Sequence, residues 1–327
     1  MAGEPSRCCN DGETNPNILK LAQPLPTSPR RDATRPASEW MGHMPVIRVF
    51  SPNGGQLAAG LMGAMAVGRP TPSPDTLRPK PEKARRKNPN RLTVYQHVYP
   101  QRSIARFAGQ DGRVALHDLS RRQVRRAKPR DSIFCARRAW DQRAEAGYMK
   151  DIEDRFQVLA EALIGGQRTI SSAEDREAVE RFFALWYMRA RHHQLEDQEI
   201  KLNGIKGDSL TKEQEENLEA KGYLFARPDG FVPARQLNGL WLQNQIDDYA
   251  RHLSSVARWG VIQPQSGEFI ITDTPSHMVI PITPGLALVG NAPDGVILAD
   301  NLAQINQLTV AGSQRYFLAR DLAHCPV

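Results

Sequence analysis

The sequence predicts an α+β chain: a mostly helical middle flanked by small antiparallel β elements, behind a disordered N-terminal tail. Three observations lead there. Apolar residues recur at helical spacing from about Arg143 to Arg258. After Trp259 the pattern changes to short β-rich runs broken by proline and glycine. Residues 1–91 hold 14 of the 24 prolines and keep no period.

Residues 1–90 are expected to form a disordered, basic, proline-rich tail, and 91–327 a single α+β body. The stretch Arg69–Arg91 cannot bury enough apolar surface to offset its ordering entropy. Within the tail, Gln56–Val67 is a small-residue apolar run that imitates a signal peptide behind Met44. Asn53, Gly54 and Gly55, with Arg48 as the lone nearby charge, argue against that reading. The tail is either a real segment or an over-extended reading frame, with translation then expected to begin at Met44, Met62 or Met65.

The body opens on His97, Pro100, Ile104 and Phe107, at spacings 0, 3, 7 and 10, so a short helix is expected at Gln101–Phe107. A hairpin should follow, with Gly109-Gln110-Asp111-Gly112 as its turn and Val114, Leu116 and Asp118 alternating along its second arm. Met149, Ile152, Phe156, Leu159 and Leu163 make a helical stripe that stops at Gly165-Gly166. Val179, Phe182, Phe183 and Trp186 make a second stripe, capped at Ser171-Ser172. Thr211–Lys221 is a charged helix ended by Gly222. Leu237, Leu240, Trp241, Ile246, Tyr249, Leu253 and Val256 form a third stripe. Strands are expected at Val261-Ile262, Phe269–Ile271, Met278–Ile280 and Leu286–Val289, with a last helix at Leu302–Gln307.

Charge is unevenly placed. Of 43 basic and 36 acidic residues, 14 and 7 fall in residues 1–91, a net of +7; the other 236 residues carry 29 of each. The basic pI therefore belongs to the tail, which weakens any inference from pI to nucleic-acid binding. Within the body, Arg102–Arg143 holds 12 basic and 4 acidic residues, a net of +8. That strip either faces a phosphate-rich partner or pairs with the acidic helices behind it.

The four cysteines form no Cys-x-x-Cys unit, which fits a reduced, cytoplasmic setting. No run of 18 apolar residues occurs, so no membrane partner is expected. Walker A, Gly-x-Gly-x-x-Gly, Gly-x-Ser-x-Gly and His-Glu-x-x-His patterns are lacking, which disfavours P-loop, dinucleotide, serine-hydrolase and zincin chemistry.

Candidate site residues come from charges lying on apolar stripes. Glu145 precedes Met149, Ile152, Phe156 and Leu163 by 4, 7, 11 and 18 residues, in line with the buried face. Glu153 borders that face, and Arg189 lies on the buried side of the next helix. Buried charges must be paired, so Arg189 should pair with Glu145 or Glu153; alternatively the carboxylates line a cleft. His97 is a turn residue, a ligand or a general base. His192-His193 compensates charge at a helix end. Asp273, in Thr272-Asp273-Thr274-Pro275, either builds an Asx-type turn or serves as a strand-end site residue.

These pieces together resemble the uncharacterised family catalogued as domain of unknown function 4238. The resemblance rests on His97-x-x-Pro100-x-x-x-Ile104-x-x-Phe107 with Gly112-x-Val114, then on Glu145-x-x-x-Met149-x-x-Ile152-Glu153, and on Arg189 ending an aromatic helix. It continues in Ile271–Pro275, Ile280–Pro284, Ile305-Asn306 and Arg315–Phe317. It spans about Tyr95 to Arg320 and implies no activity. Gln96 and Thr272 depart from the family, which often has histidine or asparagine at the first position and serine at the second.

Two function classes follow. One is a metal-assisted phosphodiester or nucleotide hydrolase, acting on nucleic acid or nucleotide, in which His97, Glu145, Glu153 and Asp273 hold magnesium or manganese or act as acid and base. Arg189 would then sit on phosphate. The other is a non-catalytic binding module whose buried Glu–Arg pair is architecture. The sequence sets no oligomeric state.

Overall fold

The computed structural model describes residues 82–327 apart from 168, 195–198 and 205–206. The readings made on residues 1–81, including the Gln56–Val67 run, lie outside the described residues. The α+β class holds, with helices in the middle and small, mainly antiparallel sheets before and after them.

Strand β1 (Tyr95–His97) leads through Pro100 into α1 (Gln101–Ala105), whose buried Ile104 joins Phe107 in the core. Next come β2 (Val114–Asp118), β3 (Gln123–Ala127) and β4 (Cys135–Arg137). The Gly109–Gly112 turn joins α1 to β2 and is not the turn of a hairpin. The hairpin is β2–β3, and its turn is built by Asp118, whose Oδ1 accepts from Ser120 N, Ser120 Oγ and Arg121 N. Strand β4 pairs back onto β1.

A π-helical turn at Ala144–Met149 runs into α2 (Lys150–Ile164), followed by α3 (Ala173–His192), and Ser172 caps α3 through Asp175 N. All five residues of the first stripe are buried, and Phe156 stacks on Phe182 with ring centroids 3.6 Å apart, locking α2 to α3. Tyr99 packs on Trp186 and donates to Pro281 O at 2.8 Å, tying this helical layer to the C-terminal sheet.

Strand β5 (Glu199–Lys201), α4 (Lys212–Ala220), β6 (Phe231–Pro233) and α5 (Ala234–Leu253) complete the middle. Helix α4 starts after Thr211 as expected, and a capping box between Thr211 and Gln214 opens it. Trp241 departs from expectation: it is exposed, and Leu242 takes the buried position. His192 lies edge-on to Trp241 at 4.5 Å, and burial pushes its pKa down to about 4. It is therefore neutral at pH 7 and does not supply helix-end charge.

The remaining strands are β7 (Trp259–Pro264), β8 (Ile271–Thr272), β9 (Val279–Thr283), β10 (Leu286–Gly290) and β11 (Gly295–Ile297); after α6 (Ala299–Gly312) comes β12 (Tyr316–Ala319). One sheet has the order β11-β7-β10-β9, with β11 parallel to β7; the other has β3-β2-β12-β8. Pro281 is tolerated because β9 is an edge strand. Buried Asn306 holds the end of the chain, donating to Glu268 O and Pro326 O and accepting from Ile270 N.

The tail boundary needs correction. Residues 82–90, expected to be disordered, lie on the body as a strap. Glu82 pairs with Lys212 at 3.0 Å, Arg227 at 3.2 Å and Arg235 at 2.6 Å. Burial opposes the Glu82 charge, but Arg235, Lys212 and Arg227 hold its carboxyl down at about 2. Arg85 pairs with Glu216 and Glu213 on α4. Composition marks this segment as unable to make a core; the acidic face of α4 orders it instead.

Candidate functional site

Four of the five predicted site residues come together. The π-helical turn turns Glu145 toward the end of α3, where Arg189 is fully buried. Arg189 Nη2 donates to Glu145 Oε2 at 3.1 Å, and Nη1 donates both to Glu153 Oε1 and to His97 O at 3.0 Å. Trp140 Nε1 donates to the same Glu145 oxygen at 2.6 Å, and its ring lies 5.5 Å from the guanidinium carbon. The expected pairing is therefore present, and it involves both carboxylates.

The electrostatics follow from burial. Two carboxylates share one guanidinium, so the cluster carries one excess negative charge. Burial, with Glu145 nearby, pushes the Glu153 carboxyl up despite Arg189. Burial opposes the charge of Arg189, but Glu145 and Glu153 together outweigh it and its pKa rises. Burial pushes His97 down, against its bond to the Pro129 carbonyl and the pull of Glu153. His97 is then neutral, and with Nε2 3.2 Å from the Pro129 carbonyl, an acceptor only, Nε2 carries the proton.

The fifth residue goes elsewhere. Asp273 is buried, and its carboxylate accepts from Gln314 N at 2.9 Å and Arg315 N at 3.1 Å. It caps the turn that starts β12, and the local turn is made by Thr272 Oγ1, which accepts from Thr274 N. Asp273→Ala should lower stability by about 1–3 kcal/mol by leaving these amides unsatisfied. A urea titration with an unchanged midpoint would remove this role.

The residues do not fit the expected magnesium or manganese centre. Among the described residues no group of three or more His, Cys, Asp or Glu could hold a metal ion. The bonds of Glu145 and Glu153 go to Arg189 and Trp140, and Asp273 stands on its own turn. A two-histidine arrangement at positions 96 and 97 is also ruled out by strand alternation. Gln96 points into the core, where it bonds both the N–H and the C=O of Trp140.

The basic strip divides instead. Seven of its twelve cations pair: Arg102 and Arg106 with Glu161, Arg121 with Asp118, Arg125 with Asp131, Arg126 with Asp111, Arg138 with Glu219 and Arg143 with Asp141. Among the described residues, Arg113, Arg122, Lys128, Arg130 and Arg137 form no ion pair. Arg113, Lys128 and Arg130 line one open concavity of about 420 Å³ together with Arg125 and Arg126, and Asp131 is its lone acid. The concavity forms where edge strand β3 meets the Lys128–Ser132 turn, and the Arg126 guanidinium is braced there by Asp111 and the Arg113 and Arg320 carbonyls. Composition revealed the strip but not this concentration, because which cations pair depends on the fold.

Among the described residues no helix is long and apolar enough to cross a membrane, and Cys135 and Cys325 are free thiols. No family model matches the sequence, and no curated protein or solved structure matches it.

Proposed function

We propose that this chain is a non-catalytic binding module that takes a phosphate-bearing polymer on its basic hairpin, with the Glu145–Arg189–Glu153 cluster as architecture. The observation that carries this reading is the concavity with five cations against one acid in its lining. An array of guanidinium groups suits phosphate oxygens, which they hold by paired hydrogen bonds. Arg125 and Arg126 are already held by Asp131 and Asp111, so these two guanidinium groups need little ordering on binding. The buried triad supports the same reading from the other side: Arg189 Nη1 and Nη2 hold Glu153, Glu145 and the His97 carbonyl, which makes it a joint between α2, α3 and β1. A reducing, cytoplasmic setting belongs to this proposal, supported by the two free thiols.

The test is fluorescence anisotropy of a labelled oligonucleotide with wild type and a Lys128→Glu, Arg130→Glu variant. Both residues lack an ion pair, so the fold should survive. The variant should bind at least about 10-fold more weakly, with the slope of log affinity against log salt reduced by about 1 to 2. Equal affinity, or binding without salt dependence, would overturn the proposal.

A further inference from the structure

A second basic concavity lies beyond the first. It has a volume of about 280 Å³ and is lined by the strap and by the end of β4. Three of its cations, Lys83, Lys87 and Arg137, form no ion pair among the described residues, whereas Arg85 and Arg138 are held by α4 carboxylates. Its one acid, Glu82, is neutralised by three cations of its own.

The two concavities are joined by the outer face of the β1–β4 ribbon. In its register Tyr95 stands opposite Arg137, Gln96 opposite Ala136 and His97 opposite Cys135. Cross-strand partners share a face, and neighbours along a strand alternate. Gln96 and Ala136 are buried, which leaves Tyr95, Arg137, His97 and Cys135 on the outer side, and Tyr95 is 53% exposed. At the other end of this face His97 bonds Pro129 O. Pro129 lies between Lys128 and Arg130, which line the first concavity. Arg137 in the second concavity lies only five positions after Ser132 in the first, a span of at most about 18 Å.

We propose that the two concavities are the ends of one track for single-stranded nucleic acid, with phosphates in the basic ends and a base stacked on Tyr95 between them. This rests on the polymer-binding reading above and narrows it to a substrate class. The exposed aromatic ring beside a cation is what selects single strands. A duplex keeps its bases stacked inside, and an anionic lipid surface offers no ring to stack. Arg189 answers one of the two Glu145 and Glu153 charges near the track, and the cations of the two concavities outnumber the one left over.

The experiment uses the full chain, because the tail carries charge of its own and only substitutions in the body isolate the track. Labelled oligothymidylates of about 2 to 12 nucleotides are titrated into wild type, Tyr95→Ala, Tyr95→Phe and Arg137→Glu. Affinity should rise with length until both ends are filled, at about 4 to 6 nucleotides, and then level off. Tyr95→Ala should weaken the longer oligomers by about 5- to 100-fold, while Tyr95→Phe keeps the affinity. Arg137→Glu should weaken the longer oligomers about 10-fold and leave a dinucleotide unaffected. Sensitivity to Lys128 and Arg130 charge reversal alone, with no effect of Tyr95 or Arg137, would overturn the track and leave the polymer-binding reading standing. Insensitivity to all four residues would remove both. Equal or tighter binding of a duplex, or binding of phosphatidylserine vesicles in place of oligonucleotide, would also overturn the single-strand assignment.

Discussion

Replacing Arg189 with methionine should destabilise the body by about 3–5 kcal/mol, because it strands Glu145 and Glu153, and burial already disfavours the Glu153 carboxylate. Arg189 is wholly buried, while Glu145 and Glu153 keep only 15% and 25% of their side-chain surface in contact with solvent. Methionine fills much of the volume and leaves the apolar contacts of α3, so the loss reads the charge. Glu145 would keep the bond from Trp140, which makes Glu153 the group that suffers most. Urea unfolding followed by tryptophan fluorescence measures the loss. A decrease below about 1 kcal/mol would show that the carboxylates are solvated well enough to stand alone. Adding Glu145→Gln and Glu153→Gln to Arg189→Met should recover part of the loss, since a buried ion cluster is costly to break but not to replace.

Glu219→Ala should cost a similar amount, about 3–5 kcal/mol, for the opposite reason: it strands cations. Glu219 Oε2 accepts from Arg138 Nη2 at 2.8 Å and from Arg235 Nε and Nη2 at 3.0 and 2.9 Å, and all three side chains are at most 3% exposed. The Glu82 backbone carbonyl and carboxylate remain for the two guanidinium groups, so the strap would carry the whole pairing. Cleavage within residues 82–91 by trypsin should then become faster than in wild type, alongside the lower unfolding midpoint. Wild-type resistance to trypsin combined with an unchanged midpoint would mean that the strap does not depend on this cluster.

The two ion clusters differ in how far the sequence announces them. Arg189, Glu145 and Glu153 stand out because each interrupts an apolar stripe at helical spacing, so burial and pairing follow before any coordinates. Glu219 gives no such signal. Helix α4 is charged throughout, and its Glu215, Glu216 and Glu219 are buried by Arg227 before β6 and by cations that come from the strap and from the first turn of α5. Periodicity detects apolar partners, and here the partners are charged. The same limit explains the strands. The apolar strands after Trp259 are legible as runs, whereas β3 reads Gln-Val-Arg-Arg-Ala because it is an exposed edge, and β5 and β6 have three residues each. Asp273 is legible at a strand end, but its partners lie 41 and 42 residues away, beyond any local turn pattern.

The body should bind a phosphate-bearing polymer without cleaving it. The most direct measurement incubates the full chain with labelled single-stranded and double-stranded DNA and RNA in magnesium and then in manganese. Retention and strand length are read from the same samples, with His97→Ala as control. Binding of single strands that keep their full length, with wild type and with His97→Ala, is the expected result. Strand cleavage by wild type that His97→Ala abolishes, while its melting temperature holds, would contradict the claim and make the His97–Glu153–Arg189 cluster a catalytic centre.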